Sequence, residues 1–407
     1  MKNKFVFLIF LLINVYVSAQ QKQNWNDIIF FTKDTTFSKP IEPEKGATAL
    51  EKLKVLCNNK ESWQNRRSCL EQGIKKALLL PENRKPTVPK AVFSQKEAMD
   101  GYTVENVAIE VMPGLWTTGN LYRPLNRIKK HPAILSAQGH GQPAPSDFCA
   151  RFSKSSQTMC AMLAKMGAIV YNYDMFGIGE SGLHAGYTIH RTGLAQSVQT
   201  LSSIRIIDFL SSLKDVDNKH IGMTGASGGG TQTLLATAID PRIAVSVPVV
   251  QVSSFFPGGC PCESGRPIHL MCNPISNNAE IAAMAAPRPM LVISDGSDWT
   301  QTVDKVEYPF IKHLYSFYRK DNQVKNVHLI NEKHDYGLSK RIAMYDFMAK
   351  HLKLNNTIVK NAKGKYDESI IKTMKWEKLL VFPNGKLPEG HLKNAKEIYY
   401  ALISLTK

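Results

Sequence analysis

The chain has 407 residues, of which 43% are hydrophobic, and its 51 Lys and Arg outnumber 34 Asp and Glu to give a formal charge of +17. No internal repeat or low-complexity tract is present, and no apolar run is long enough for a membrane-spanning helix of about 20 residues, so no membrane span is expected. The surplus positive charge suits anionic partners such as acidic polysaccharides. The basic residues are scattered along the chain instead of gathered in a run, so plain solubility explains them equally well, and nucleic acid is not expected.

The chain begins with Lys2 and Lys4 ahead of an apolar run from Phe5 to Val17, followed by the small residues Ser18 and Ala19. This pattern predicts a secretory signal peptide over residues 1–19 and an exported protein, periplasmic or secreted. Removing its two lysines leaves 17 − 2 = +15. Export permits disulfides among the seven cysteines, with at least one left unpaired. Cys57 and Cys69 flank a short helical stretch and form one candidate pair.

Residues 20–95 read as an N-terminal helical extension, because Leu50, Leu53, Leu56, Leu70, Ile74 and Leu78 recur at helical spacing. Residues 102–122 alternate apolar and polar around Pro113-Gly114, a β-hairpin pattern. Short apolar runs then follow at 132–137, 167–173, 221–225, 244–250, 289–294 and 327–331. Helical stretches separate them near 154–166, 193–214, 228–239, 304–319 and 338–352. Apolar strands alternating with helices predict an α/β domain over 96–354, with a mostly parallel sheet covered on both faces. Its ligand site belongs beyond the carboxyl ends of the strands. A segment rich in Gly, Pro and Cys at 252–285 interrupts the rhythm and is expected to be a lid-like insertion. Residues 355–407 form a C-terminal extension with a final helix near 391–405.

"GASGGG" at 225–230 places Ser227 between a predicted strand and a predicted helix. G-x-S-x-G in that setting raises a serine on a sharp turn, where Gly225 and Gly229 avoid clashes and Oγ is exposed. A serine hydroxyl needs an imidazole to take its proton. His334, just past the last strand, is placed to do so, whereas His328 lies inside that strand. A carboxylate is needed to orient the imidazole. Asp295 and Asp298 both follow the preceding strand, and Asp298 is favoured because it lies far enough beyond it to turn back, leaving Asp295 as a turn former. The oxyanion cradle is expected from the backbone N–H groups of Gly228 and of His140 in "QGHGQPAP", with help from Gln142. A role for His140 as a second base is the alternative. The order Ser227, Asp298, His334 is the order of an α/β-hydrolase.

These motifs, with "PGLWTTGNLYRP", "YDMFGIGESG", "APRPMLVISDGSDWT" and "EKHDYG", make the chain resemble α/β-hydrolases of the secreted bacterial acetyl xylan esterase group and related carbohydrate esterases. The resemblance covers about residues 95–352. It implies Ser-His-Asp hydrolysis, without a cofactor, of acetyl groups on a polysaccharide such as xylan. Asp174, Gly177, Gly179 and Ser181 match a loop common in that fold, and a structural role is preferred for them.

Glu263 and Trp299 are expected near the pocket mouth as sugar contacts. Cys260, Cys262, His269 and Cys272 have zinc-ligand residue types, but C-x-C is tighter than the usual spacing, so a disulfide or buried thiols are expected and no metal. Alternatives to acetyl release are methyl esters of uronic-acid-containing glycans, a prolyl-oligopeptidase-like peptidase, and a non-catalytic glycan-binding protein. The third conflicts with a complete triad, and a propeller-bearing peptidase needs more chain before its catalytic domain than is present here.

Overall fold

The computed structural model describes residues 38–126 and 129–406; the expected signal peptide lies outside them. Two helices open the described chain, α1 (Pro43–Leu56) and α2 (Lys60–Ala77). In α2 the Asn59 side chain accepts the N–H of Ser62 while the Ser62 hydroxyl accepts that of Asn59, a reciprocal cap that fixes the first turn.

Nine strands form one sheet in the order β1-β2-β3-β5-β4-β6-β7-β8-β9. β1 (Ala91–Met99), β2 (Tyr102–Met112) and β3 (Leu115–Pro124) run antiparallel, and β3 pairs antiparallel with β5 (Ile169–Tyr173). From β5 onward β4 (His131–Ala137), β6 (Val216–Ala226), β7 (Ile243–Val249), β8 (Met290–Asp295) and β9 (Val324–Leu329) are all parallel. Along β4, Ala133, Leu135 and Ala137 enter the core on one face while Ile134 enters the core on the other. Burial on both faces is why these strands read as unbroken apolar runs.

Helices α3 (Lys154–Lys165), α4 (Gly193–Ser212) and α5 (Gly228–Ile239) connect the central strands. The whole of α5 is buried, as is nearly all of α4, whose Gln196 and Gln199 side chains donate to the carbonyls of Glu263 and Cys262 in the 252–285 segment. That segment carries two short helices, α6 (Pro261–Ser264) and α7 (Asn278–Ala283), and is followed by α8 (Glu307–Ser316), α9 (Leu338–Leu352) and α10 (Ala395–Leu405). Among the described residues no helix is long and apolar enough to cross a membrane.

Three expectations change. β1 begins at Ala91, so the strands start inside the segment assigned to the N-terminal helical extension. Cys69 is bonded to Cys272, not Cys57, which is a buried free thiol. That disulfide and a buried Arg66–Glu280 ion pair, Nε to Oε1 at 2.8 Å, fasten the 252–285 segment to α2. The segment is therefore a clamp on the N-terminal helices and not a free lid.

The C-terminal extension is stitched to the sheet. Asn106 donates to the carbonyls of Lys378 and Leu380, and Asn120 and Arg151 donate to that of Leu379. Glu180 accepts the N–H groups of Val381 and Phe382. Arg151 is itself fully buried between Asp174 and Glu180. Those carboxylates hold its guanidinium well above the ordinary arginine pKa, against the opposing effect of burial. The structural role preferred for the Asp174 loop is therefore what the geometry supplies.

Candidate active site

The sheet order reverses between β5-β4 and β6, and the loops after β4 and β6 meet there. Ser227 follows β6 directly, with φ 56° and ψ −121°, on the side of backbone space that L-residues seldom occupy. Its N–H is held by the Val249 carbonyl at 3.1 Å, and its own carbonyl accepts from Thr231 within α5. The flanking glycines are needed for space: a Cβ on Gly225 would sit 2.5 Å from the carbonyls of Ala137 and Gly229, and one on Gly229 would sit 2.3 Å from that of Ala137. The strained serine turn is thus fixed from both strands.

His334 and Asp298 lie on neighbouring loops, after β9 and β8. His334 Nδ1 is 2.5 Å from Asp298 Oδ2, and the other carboxylate oxygen accepts the N–H and hydroxyl of Thr300 at 2.6 and 2.5 Å. The Asp298 side chain is 3% exposed and that of His334 is 32% exposed, so the pair joins a buried acceptor to a ring open at the surface. Trp299 stacks on Phe256 with ring centroids 4.2 Å apart and tilts against His334 at 4.4 Å. Its ring packs around the histidine.

Ser227 and His334 both line a cavity of about 280 Å³, together with Gln138, His140, Tyr336 and Arg341. Asp295 is fully buried and pairs with Lys340 of α9, Nζ to Oδ2 at 3.1 Å. His328 bonds Ser294 within the sheet. The favoured choices, Asp298 and His334, are therefore the ones brought together.

The β4 loop packs directly on the elbow, since a Cβ on Gly139 would lie 2.7 Å from the Ala226 carbonyl and 3.6 Å from Ser227 Cβ. His140 and Gly228 also approach each other: a Cβ on Gly228 would lie 3.1 Å from His140 Cε1. The His140 ring reaches Cys262, with Nε2 3.2 Å from Sγ.

Other expected site residues are placed differently. Gln142 is exposed and its N–H is donated to the Phe148 carbonyl at 3.2 Å, so it is not an available oxyanion donor. Glu263 is 3% exposed and its Oε2 accepts the N–H groups of Gly259 and Cys260 at 3.0 and 3.1 Å. It shapes the cysteine-bearing turn, and burial pushes its carboxyl pKa up. Cys272 is in the disulfide and buried His269 bonds Ser276, so Cys260, Cys262, His269 and Cys272, the four residues of zinc-ligand type noted in the sequence, do not assemble. Sequence reasoning missed Lys340, a lysine inside an amphipathic helix that carries no local sign of burial, and His190, which lies in an irregular stretch.

The strand order and the serine turn define an α/β-hydrolase, and the chain is a serine-type carboxylic ester hydrolase with the fold of carbohydrate esterases. The solved structure of methylesterase BT1017 is 38% identical, covers 90% of this chain and 81% of its own, and superposes with a TM-score of 0.79. The chain belongs to the family of that methylesterase. A glucuronoyl esterase from Solibacter usitatus, 16% identical, shares the fold with a TM-score of 0.55 over 72% of this chain and 94% of its own. The family model "X-Pro dipeptidyl-peptidase (S15 family)" matches residues 118–274, less than half of the chain. The uncharacterized protein PA2218 of Pseudomonas aeruginosa is 30% identical over 135 residues, 33% of each chain, so the match spans a third of that relative's length.

Proposed function

We propose that the chain is an exported esterase acting on a uronic-acid-containing glycan, releasing methanol from methyl esters. Ser227 Oγ attacks the ester carbonyl, His334 takes its proton and returns it to the departing methanol, and water then repeats the cycle on the acyl-enzyme. Asp298 holds the imidazole in the tautomer with Nδ1 protonated and stabilises the imidazolium. The N–H groups of Gly228 and His140 receive the developing oxyanion. The observation that carries the mechanism is the strained Ser227 turn sharing one cavity with a histidine already paired to Asp298.

The choice of ester rests on two supports. A methylesterase is 38% identical, and the charge of 17 − 2 = +15 left after the expected signal peptide suits a glycan carrying carboxylates. The acetyl reading from the sequence rests on motif resemblance alone and takes second place. Methanol and acetate released from methyl-esterified pectic glycans and acetylated xylan, by wild type and Ser227→Ala, decide between them. Serine-dependent methanol is the expected product; acetate alone restores the acetyl reading, and cleavage of peptide amides with neither product overturns both.

A further inference from the structure

Behind the β4 loop, His140, His190, Cys260 and Cys262 bring one ligand atom each to within 4.8 Å of all the others. They come from three separate stretches: the β4 loop, the 3-10 turn Tyr187–Arg191, and α6 with its capping residue. His140 Nε2 lies 3.2 Å from Cys262 Sγ, and the two imidazole rings meet edge to face with centroids 5.0 Å apart. A tetrahedral zinc, with Zn–S about 2.3 Å and Zn–N about 2.0 Å, holds its ligand atoms roughly 3.3–3.8 Å apart. The four side chains need only a small closure to reach that geometry.

The surroundings favour a metal over an accidental contact. His190 is buried, and its Nδ1 donates to the Phe176 carbonyl at 2.8 Å, which leaves Nε2 as a lone pair. That Nε2 is buried and has no hydrogen-bond partner. A ligating histidine is characteristically held this way, with its other nitrogen donating to a backbone carbonyl. The cysteines are equally fixed: Glu263 grips the backbone of Gly259 and Cys260, and Gln199 donates to the Cys262 carbonyl at 3.3 Å. Both thiols are unbridged in the same structure that closes Cys69 to Cys272.

We propose that these four residues form a structural zinc site. On binding, each thiol loses its proton to solvent as its Zn–S bond forms, and each neutral imidazole donates a nitrogen lone pair. Two thiolates cancel the dication, so the site, three of whose four residues are buried, becomes neutral, and an S2N2 donor set selects zinc over harder cations. Four protein ligands leave no open position, so the ion ties the β4 loop, the 187–191 turn and the 252–285 clamp together and performs no chemistry. Its effect on the oxyanion loop through His140 rests on the mechanism above, whereas its presence does not.

The test is elemental analysis of the full chain, purified without chelator and exposed to zinc sulfate with its thiols kept reduced. About one tightly held zinc per chain is expected, falling to background in Cys262→Ser and His190→Gln. Cobalt(II) in the wild type should give tetrahedral d–d bands with thiolate charge transfer, a readout that needs neither activity nor a folded variant. Absence of metal uptake by the folded wild type, full zinc retention by Cys262→Ser, or a peptide mass showing a Cys260–Cys262 disulfide would overturn the site.

Discussion

Asp295, the last residue of β8, and Asp298, three positions further on, face different partners: Asp298 reaches His334 at 2.5 Å, while Asp295 is sealed against Lys340 at 3.1 Å. Their substitutions should therefore separate. Asp298→Asn keeps the shape but no longer holds Nδ1–H of His334 toward it, and kcat is expected to fall by about 10³–10⁴-fold with little change in melting temperature. Stopped-time ester hydrolysis beside a thermal melt checks this, and near-wild-type turnover would remove Asp298 from the mechanism.

Ser227 offers a test of backbone strain independent of chemistry. At φ 56° and ψ −121° a residue with a Cβ carries a cost on the order of 1–3 kcal/mol. Ser227→Ala retains the Cβ and should be inactive with nearly unchanged stability. Ser227→Gly also loses activity but relieves the strain, less the greater chain entropy of glycine, for a net stabilisation of about 1 kcal/mol. Urea unfolding of the two variants compares them directly; a glycine variant less stable than the alanine variant contradicts the strain argument.

What was legible in the sequence followed from local rules. Glycine at 225 and 229 announces close backbone approach, apolar runs announce strands buried on both faces, and carboxylate and histidine positions follow from which strand precedes them. Contacts set by the packing of distant loops carry no such signal. The Cys69–Cys272 bond spans 203 residues, and the nearer Cys57 was the natural guess. His190 meets Cys260 and Cys262 only because the 252–285 segment folds back over α4. Glu263 was expected at the pocket mouth because a polar residue in an irregular segment reads as exposed, whereas it accepts backbone N–H groups inside the turn.

Lys340 supports the histidine loop from beneath. Its side chain is fully buried, and its ammonium also reaches Asp335 at 2.9 Å and the Lys333 carbonyl. Burial alone would lower its pKa, but Asp335 and Asp295 outweigh it and hold the pKa above the ordinary lysine value. Lys340→Met leaves the Asp295 carboxylate buried without a cation, a change that costs about 3–5 kcal/mol in comparable pairs. Because the loop 330–337 carries His334, kcat is also expected to fall. Replacing both partners, Lys340→Met with Asp295→Leu, should recover part of the stability; a double variant no more stable than the single one would show that the pair is not the source.

Acid should weaken the fold through two buried histidines outside the triad. Burial, the largest effect on each, lowers the pKa of His184 and brings that of His269 to about 4. His184 is held neutral between the Trp116 N–H, accepted at Nε2 at 3.0 Å, and the Leu392 carbonyl, 2.8 Å from Nδ1. An unfolded histidine, with a pKa of about 6.5, takes up its proton before the folded one does. Stability is therefore complete above about pH 6.5 and declines as pH falls toward the folded values, by on the order of 3 kcal/mol for His269 once pH passes below 4. His184 protonation would also take away the Nε2 lone pair that accepts the Trp116 N–H of β3. Melting temperatures from pH 4 to 8 should rise steeply through that window in the wild type and less steeply in His269→Gln, and an unchanged slope in the variant would place the acid sensitivity elsewhere.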